Sequence, residues 1–186
     1  MPRLAIYKAS NADVAVILRK GQNDSWQLIK WNMLDNTFIE GQWLLRKQVS
    51  LEGCAISPNG KYFAWCYNRY HLLNRKDAIQ AHFGISLIPN FTAIYYSGNS
   101  CGRGYVRFDK DNNVINSVDF EPTSNYNSEL NIKLVGAYTK PENNGLLNKG
   151  KKDFVYNNKL VTVDGYKILI DGKEIYDATE NYFVCL

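Results

Sequence analysis

Hydrophobic and polar residues alternate in short stretches along most of the chain, and turn-forming residues separate these stretches. Residues 14–18 form a mostly β-branched apolar run. Residues 26–31 place alternate side chains on opposite faces, so that Trp26 and Trp31 point in different directions. A period of two residues is the pattern of a β-strand. The N-terminal part of the chain is therefore predicted to form strands.

The clearest hairpin lies in residues 54–67. Residues 54–56 and 61–67 are apolar strands, and a four-residue turn joins them: Ser57, Pro58, Asn59 and Gly60. Pro sets the φ angle that the second turn position needs, and Asn-Gly accepts the positive φ that reverses the chain. Pairs of Asp, Asn and Gly predict further turns at residues 35–36, 157–158, 164–165 and 171–172.

Three segments depart from the strand pattern. Residues 70–81 contain spaced apolar residues and form the best candidate for a helix or an ordered loop. Residues 97–104 are rich in Ser, Asn and Gly and predict a flexible loop between two strands. Residues 140–152 contain Pro, Gly and Lys and predict a polar loop.

About a dozen short strands at regular spacing predict an all-β fold. At about 40 to 45 residues per blade, 186 residues correspond to four blades of a propeller. We therefore expect a small or incomplete β-propeller-like architecture of short antiparallel hairpins, with a β-sandwich as the alternative. Residues 1–186 are expected to form a single β-rich domain.

Several segments resemble an uncharacterised, mainly bacterial protein family whose signature is RxGP…W…DTF..GQW…LSPDG. The matching segments are RKG at 19–21, WQLIKWN at 26–32, DNTFIEGQW at 35–43 and ISPNGK at 56–61. Residues 91–94 and 102–104 are similar to the family's later FTAL…GGG segment, although Arg103 interrupts the glycine run. The resemblance covers about residues 14–108 and implies a propeller-like N-terminal unit. Because the family has no assigned activity, it implies no chemistry.

The composition is that of a globular protein, with 45% hydrophobic and 22% charged residues and a net charge of +4. It excludes disordered, collagen-like and coiled-coil chains. No stretch approaches the roughly 20 apolar residues of a membrane span. The first 20 residues carry five charges and no signal-peptide core. We expect a cytoplasmic protein with no membrane partner.

The residues that bind metals and cofactors are sparse. The four cysteines form no CxxC pair, so no metal site, redox pair or cofactor is expected. Residues 109–113 resemble the start of a calcium loop, but Val114 and Phe120 stand where an EF-hand needs Gly and Glu. A β-turn is therefore predicted there.

No catalytic residue is predicted. His71 and His82 are the two histidines of the chain, and no GxSxG motif is present. Among the tryptophans, Trp31, Trp43 and Trp65 fit inward positions. Trp26, beside a polar turn, is the candidate for exposure.

Two groups of residues are candidates for binding. The loop residues Gly98, Gly102, Arg103 and Gly104 could contact a ligand or partner, because glycines leave space around an arginine. Five basic residues are the candidates for phosphate binding: Arg75, Lys76, Lys149, Lys151 and Lys152. A solvated loop explains the lysines equally without a ligand.

These observations favour a non-catalytic domain that binds another protein or a second copy of itself through loops or strand edges. The alternatives are a mildly basic protein associated with nucleic acid and a hydrolase of unknown type. The chain is also rich in Asn, Lys, Ile and Tyr, which is typical of AT-rich genomes such as those of large DNA viruses. A viral or mobile-element origin would place the protein in the host cytoplasm or the virion.

Overall fold

The computed structural model describes residues 3–70, 79–101, 106–116, 132–134, 145–148 and 152–179. These residues form strands and a short 3-10 helix at Leu51–Gly53. The strands, β1 to β16 in chain order, are Leu4–Lys8, Val14–Lys20, Trp26–Asn32, Thr37–Leu44, Gln48–Val49, Ala55–Ile56, Tyr62–Tyr70, Ile79–Leu87, Ala93–Cys101, Val106–Phe108, Val114–Asn116, Ile132–Leu134, Asp153–Tyr156, Lys159–Asp164, Lys167–Ile170 and Lys173–Asp177.

The strands form four sheets. Sheet 1 has the order β1-β2-β3-β4, and sheet 4 has the order β13-β14-β15-β16. Sheet 2 has the order β5-β7-β8-β9, with β6 also paired to β7, and sheet 3 has the order β10-β11-β12. Neighbouring strands are antiparallel, except that β12 runs parallel to β11. The prediction of an all-β chain built from short antiparallel hairpins is confirmed.

The predicted turns are formed by the residues expected to form them. In the turn at residues 57–60, Ser57 Oγ donates to Asn59 Oδ1 at 2.8 Å and accepts from the Tyr62 amide at 2.9 Å. Gly60 has a φ of +68°, and a Cβ there would lie 2.9 Å from Val14 Cβ. In the turn at residues 109–113, Asp109 Oδ1 accepts from the amides of Asp111 and Asn113 at 2.9 Å. This turn is the β-turn that the sequence predicts.

Strands β1 to β3 of sheet 1 are buried on both faces, whereas β4 is partly exposed. One face packs on sheet 2 through Val16, Leu18 and Leu28, which meet Phe63 and Trp65. The other face packs on sheet 4 through a second set of side chains: Ile6, Ile17, Ile29 and Trp31 meet Val161, Val163 and Ile168. A third cluster lies between sheets 2 and 3. The sheets are therefore packed face to face in the order 4-1-2-3.

This order agrees with adjacent propeller blades and also with layered sheets of a sandwich. A four-bladed ring would need a further contact between sheets 3 and 4. The described residues show the three contacts in series and do not form a closed ring. The blade arrangement remains a prediction.

Residues 145–148 pair with β1, which is an edge strand of sheet 1. Leu146 forms a bridge with Tyr7, and the Lys8 amide donates to the Gly145 carbonyl at 2.8 Å. The buried Asn148 side chain accepts from the Ile6 amide and donates to the Leu4 carbonyl, both at 2.9 Å. This part of the predicted polar loop is therefore paired with a buried strand.

Local structure differs from the sequence-based expectation at residues 70–81 and at Trp26. Residues 70–81 are expected to form a helix or an ordered loop, but both ends of the segment are strand, because Tyr70 ends β7 and Ile79 begins β8, its antiparallel partner. Residues 71–78 lie outside the described residues. Trp26 is 1% exposed, because its position in β3 faces the sheet 1–sheet 2 core. Trp43, predicted to point inward, is half-buried.

Candidate functional site

The predicted glycine loop is shorter than expected. Residues 97–101 belong to β9, which pairs with β8 as far as Gln80 opposite Cys101. Gly98 therefore lies within a strand, at the register shift between the Ala81–Ser100 and Phe83–Ser97 pairs, where glycine suits a β-bulge. Gly102, Arg103 and Gly104 lie outside the described residues.

The structure describes one of the five predicted phosphate-binding residues. Arg75, Lys76, Lys149 and Lys151 lie outside the described residues. Lys152 is exposed at the start of sheet 4, where its carbonyl accepts from the Val163 amide at 2.7 Å. It has a structural role there through its backbone.

A row of polar and aromatic residues crosses sheet 1 on the face toward sheet 4. Arg19 of β2 lies opposite Gln27 of β3, which lies opposite Trp43 of β4. The Arg19 guanidinium is 5.3 Å from the Trp43 ring and 5.3 Å from the Tyr166 ring. Tyr166 belongs to the turn between β14 and β15, so two sheets enclose this side chain. We refer to Arg3, Arg19 and Tyr166 as the Arg19 site.

The charges at the Arg19 site are predominantly positive. The exposed Arg3 places its guanidinium 4.9 Å from the centre of the Tyr166 ring. Arg19 itself is 2% exposed, and its Nη1 donates to Gln27 Oε1 at 3.4 Å. Its Nε is buried without a hydrogen-bond acceptor, and within the described residues neither Arg19 nor Arg3 forms an ion pair.

A second polar cluster lies on sheet 2. His82 Nδ1 and the Tyr96 hydroxyl are 2.6 Å apart, and the hydroxyls of Tyr96 and Tyr67 are 3.2 Å apart. The Tyr67 and His82 rings stack at 4.9 Å, and Lys47 Nζ lies 4.8 Å from the Tyr67 ring. Linked hydroxyls and an imidazole can move a proton, but they also satisfy polar groups at the edge of a core. The sequence singled out His82 but did not indicate its tyrosine neighbours.

Cys54 and Cys66 are protected from reaction by burial. Cys54 and Cys66 are buried thiols rather than a disulfide. Burial raises the pKa of the Cys54 thiol to about 12, and burial likewise raises the pKa of the Cys66 thiol. Because the thiolate is the reactive form, these side chains are poor nucleophiles at neutral pH. They serve as small apolar core residues.

Comparison with protein-family models, curated proteins and solved structures gave no match. The fold defines only the structural class of the protein, which is all-β with antiparallel sheets built from short hairpins. Within the described residues, no group of three His, Cys, Asp or Glu side chains is arranged to hold a metal ion. The same residues contain no helix long and apolar enough to cross a membrane.

Sheet 4 presents an apolar patch on the face opposite to sheet 1. Val155 of β13 is 71% exposed, and its cross-strand neighbour Leu160 of β14 is 47% exposed. The alternate residues Phe154 and Tyr156 pack toward sheet 1. Within the described chain, β13 pairs with β14 alone and is an edge strand. An exposed edge beside apolar side chains is suited to binding a further strand.

Proposed function

We propose that the protein is a non-catalytic β-rich interaction domain that self-associates through β13 of sheet 4. The observation that carries the proposal is the exposed Val155–Leu160 pair beside an edge strand. Cross-strand apolar pairs ordinarily lie in a core, and exposing them loses the hydrophobic contribution of their burial. A surface that covers them would recover it.

A second copy of the chain fits this edge because two identical strands can pair antiparallel about a two-fold axis. Both copies then contribute the same residues to the interface, and each Val155 lies close to sheet 4 of the other copy. The β13 strand contains neither Pro nor a bulge. At the opposite edge of sheet 4, the register between β15 and the edge strand β16 shifts between Ile168 and Leu169, which marks a bulge. Bulges disfavour edge pairing, so β13 is the better edge for association.

We propose a cytoplasmic setting, which is the host cytoplasm or the virion for a chain of viral or mobile-element origin. The buried thiols Cys54 and Cys66 support a reducing compartment. The proposed partner is therefore a second copy in the same compartment. Binding to nucleic acid through Arg75, Lys76, Lys149, Lys151 and Lys152 is the alternative that the experiment separates from association, and hydrolysis of unknown type is the second alternative.

The test is light scattering on the purified chain at several concentrations, in low and high salt and with a short DNA duplex. We expect twice the mass of one chain, unchanged by DNA. Val155→Lys should give a monomer, because it places a charge at the two-fold contact. Leu34→Lys is the matched control, since Leu34 is 76% exposed in the turn between β3 and β4.

Three results would contradict the proposal. The first is a wild-type monomer at all concentrations. The second is equal association of Val155→Lys and wild type. The third is a mass increase that needs DNA and disappears at high salt, which would favour the nucleic-acid function. Circular dichroism of each variant separates a lost contact from a lost fold.

A further inference from the structure

The two arginines buried in the described chain differ in how the protein satisfies them. Arg107, 8% exposed, donates to the carbonyls of Cys54, Val106 and Glu52 at 3.3, 2.9 and 2.8 Å. Arg19, 2% exposed, donates to one side-chain oxygen at 3.4 Å. A guanidinium has five N–H donors, and burying them without acceptors is unfavourable. Arg107 therefore has three carbonyl acceptors, whereas Arg19 has one side-chain acceptor.

Among the described residues, Gln27 links Arg19 to the nearest carboxylate in its hydrogen-bond chain, that of Glu40. Gln27 accepts from Arg19 and donates to Glu40 Oε2 at 3.4 Å. Glu40 Oε1 in turn accepts from the Tyr176 hydroxyl at 3.1 Å. The Glu40 carboxylate therefore lies beyond Gln27 and forms no ion pair with Arg19. The positive charge at the Arg19 site is uncompensated by the described residues around it.

Arg3 contributes a second positive charge against the same tyrosine ring. Both guanidinium groups lie within 5.3 Å of the centre of the Tyr166 ring. The Trp43 and Tyr166 rings both contact Arg19, whereas Arg3 lies over the Tyr166 ring and is exposed to solvent. Paired guanidinium groups bind carboxylates and phosphates, because their planar N–H donors match the spacing of two oxygen atoms.

We propose that the Arg19 site binds an oxyanion, the carboxylate or phosphate group of a ligand, between Arg3 and Arg19. The oxyanion accepts from donors of Arg19 that the protein leaves without acceptors, and Arg3 closes over it. The Tyr166 hydroxyl, which donates to the Lys20 carbonyl at 3.0 Å, keeps the ring in position. This site shares no residue with the Val155–Leu160 patch and does not depend on self-association.

The test is a titration of the ¹⁵N-labelled chain followed through the Arg19 Nε–H resonance. Inorganic phosphate and acetate are the two probes, and sodium chloride at equal ionic strength is the reference. We expect a saturable shift with phosphate, acetate or both, and the probe that saturates identifies the oxyanion class. Arg3→Gln should weaken the binding about tenfold, because one charged donor is removed. Lys159→Gln, which changes an exposed lysine of sheet 4, should leave it unchanged.

Absence of a saturable shift with both probes would overturn the proposal, as would equal affinity in the wild type and Arg3→Gln. Weakening by Lys159→Gln to the same extent as by Arg3→Gln would also overturn it, since the effect would then reflect net charge alone. Arg19 is buried, so Arg19→Gln could fail to fold and is not needed for the test. Arg3 is exposed, so Arg3→Gln is expected to fold and keeps the test decisive.

Discussion

The thiols of Cys54 and Cys66 lie close in sequence but in different cores. Cys54 packs in the cluster between sheets 1 and 2, and Cys66 packs in the cluster between sheets 2 and 3. Burial raises the pKa of both thiols, while the charge of Arg107 opposes the rise. Their protonated forms are therefore part of the folded state, and alkaline pH should act against it.

The unfolding free energy should fall as the pH rises above 9.0, the ordinary pKa of a cysteine thiol. The pKa of Cys54 is about 12 in the folded chain, so between the two values the unfolded chain releases a proton that the folded chain retains. This group alone should remove about 1.4 kcal/mol per pH unit in that window. Below it, the contribution of Cys54 to stability is fully present.

Urea unfolding of the wild type and Cys54→Ala at about pH 8 and pH 10.5 measures this effect. The variant should lose less stability between the two pH values than the wild type does. Cys54 also raises the pKa of Tyr7 and of Cys66, so the variant weakens those shifts as well, which adds to the expected difference between the two chains. Equal losses in the two chains would show that the Cys54 thiol is not linked to unfolding.

At the scale of the element, β1 depends on a segment far away in the chain. The edge of β1 that does not pair with β2 pairs with residues 145–148. There the side-chain amide of Asn148 takes the place of a strand backbone, because it accepts from the Ile6 N–H and donates to the Leu4 carbonyl. Both bonds are buried, so their loss leaves backbone groups of β1 without partners. Asn148 thus stabilises the central sheet.

Asn148→Ala should lower the unfolding free energy by about 2 to 3 kcal/mol, because a buried donor and a buried acceptor lose their partners. Asn90→Ala is the matched control. Asn90 is exposed, and its backbone N–H donates to the Leu87 carbonyl, a bond that the substitution keeps. The control should change stability by less than about 0.5 kcal/mol. Urea unfolding gives both values, and similar values for the two variants would contradict the role of Asn148.

At the scale of the whole molecule, sheet 1 connects the described sheets. Adjacent residues of β2 belong to different cores: Ile17 packs toward sheet 4 and Leu18 toward sheet 2. Because one rigid sheet takes part in both cores, disruption of either core is transmitted to the other. The N-terminal and C-terminal sheets are therefore expected to unfold together.

Ile17→Ala and Leu18→Ala should each destabilise the fold by about 2 to 5 kcal/mol, since both side chains are fully buried. Each variant should still unfold in a single transition at which tryptophan fluorescence and far-ultraviolet circular dichroism coincide. Leu34→Ala, in an exposed turn, serves as the control. Two separated transitions in either variant would show that sheets 2 and 4 are independent units.

Local structure could be predicted from the sequence wherever neighbouring residues decide it. The turn at residues 57–60, the turn at residues 109–113 and the alternation in β3 all depend on local torsion angles and a period of two. The helix or ordered loop expected at residues 70–81 is replaced by strand at both ends of the segment, because pairing between β7 and β8 overrides weak local preferences. Pairing between β8 and β9 likewise continues β9 past Gly98 to Cys101.

The sequence by itself determined that this is an all-β chain of short hairpins, because strand periodicity and turn chemistry are properties of adjacent residues. The tertiary structure decided which faces meet: it buried Trp26, paired Asn148 with β1, and placed Arg19 between Trp43 and Tyr166. These contacts join residues distant in the chain. They follow from the packing of whole sheets, which no local pattern specifies.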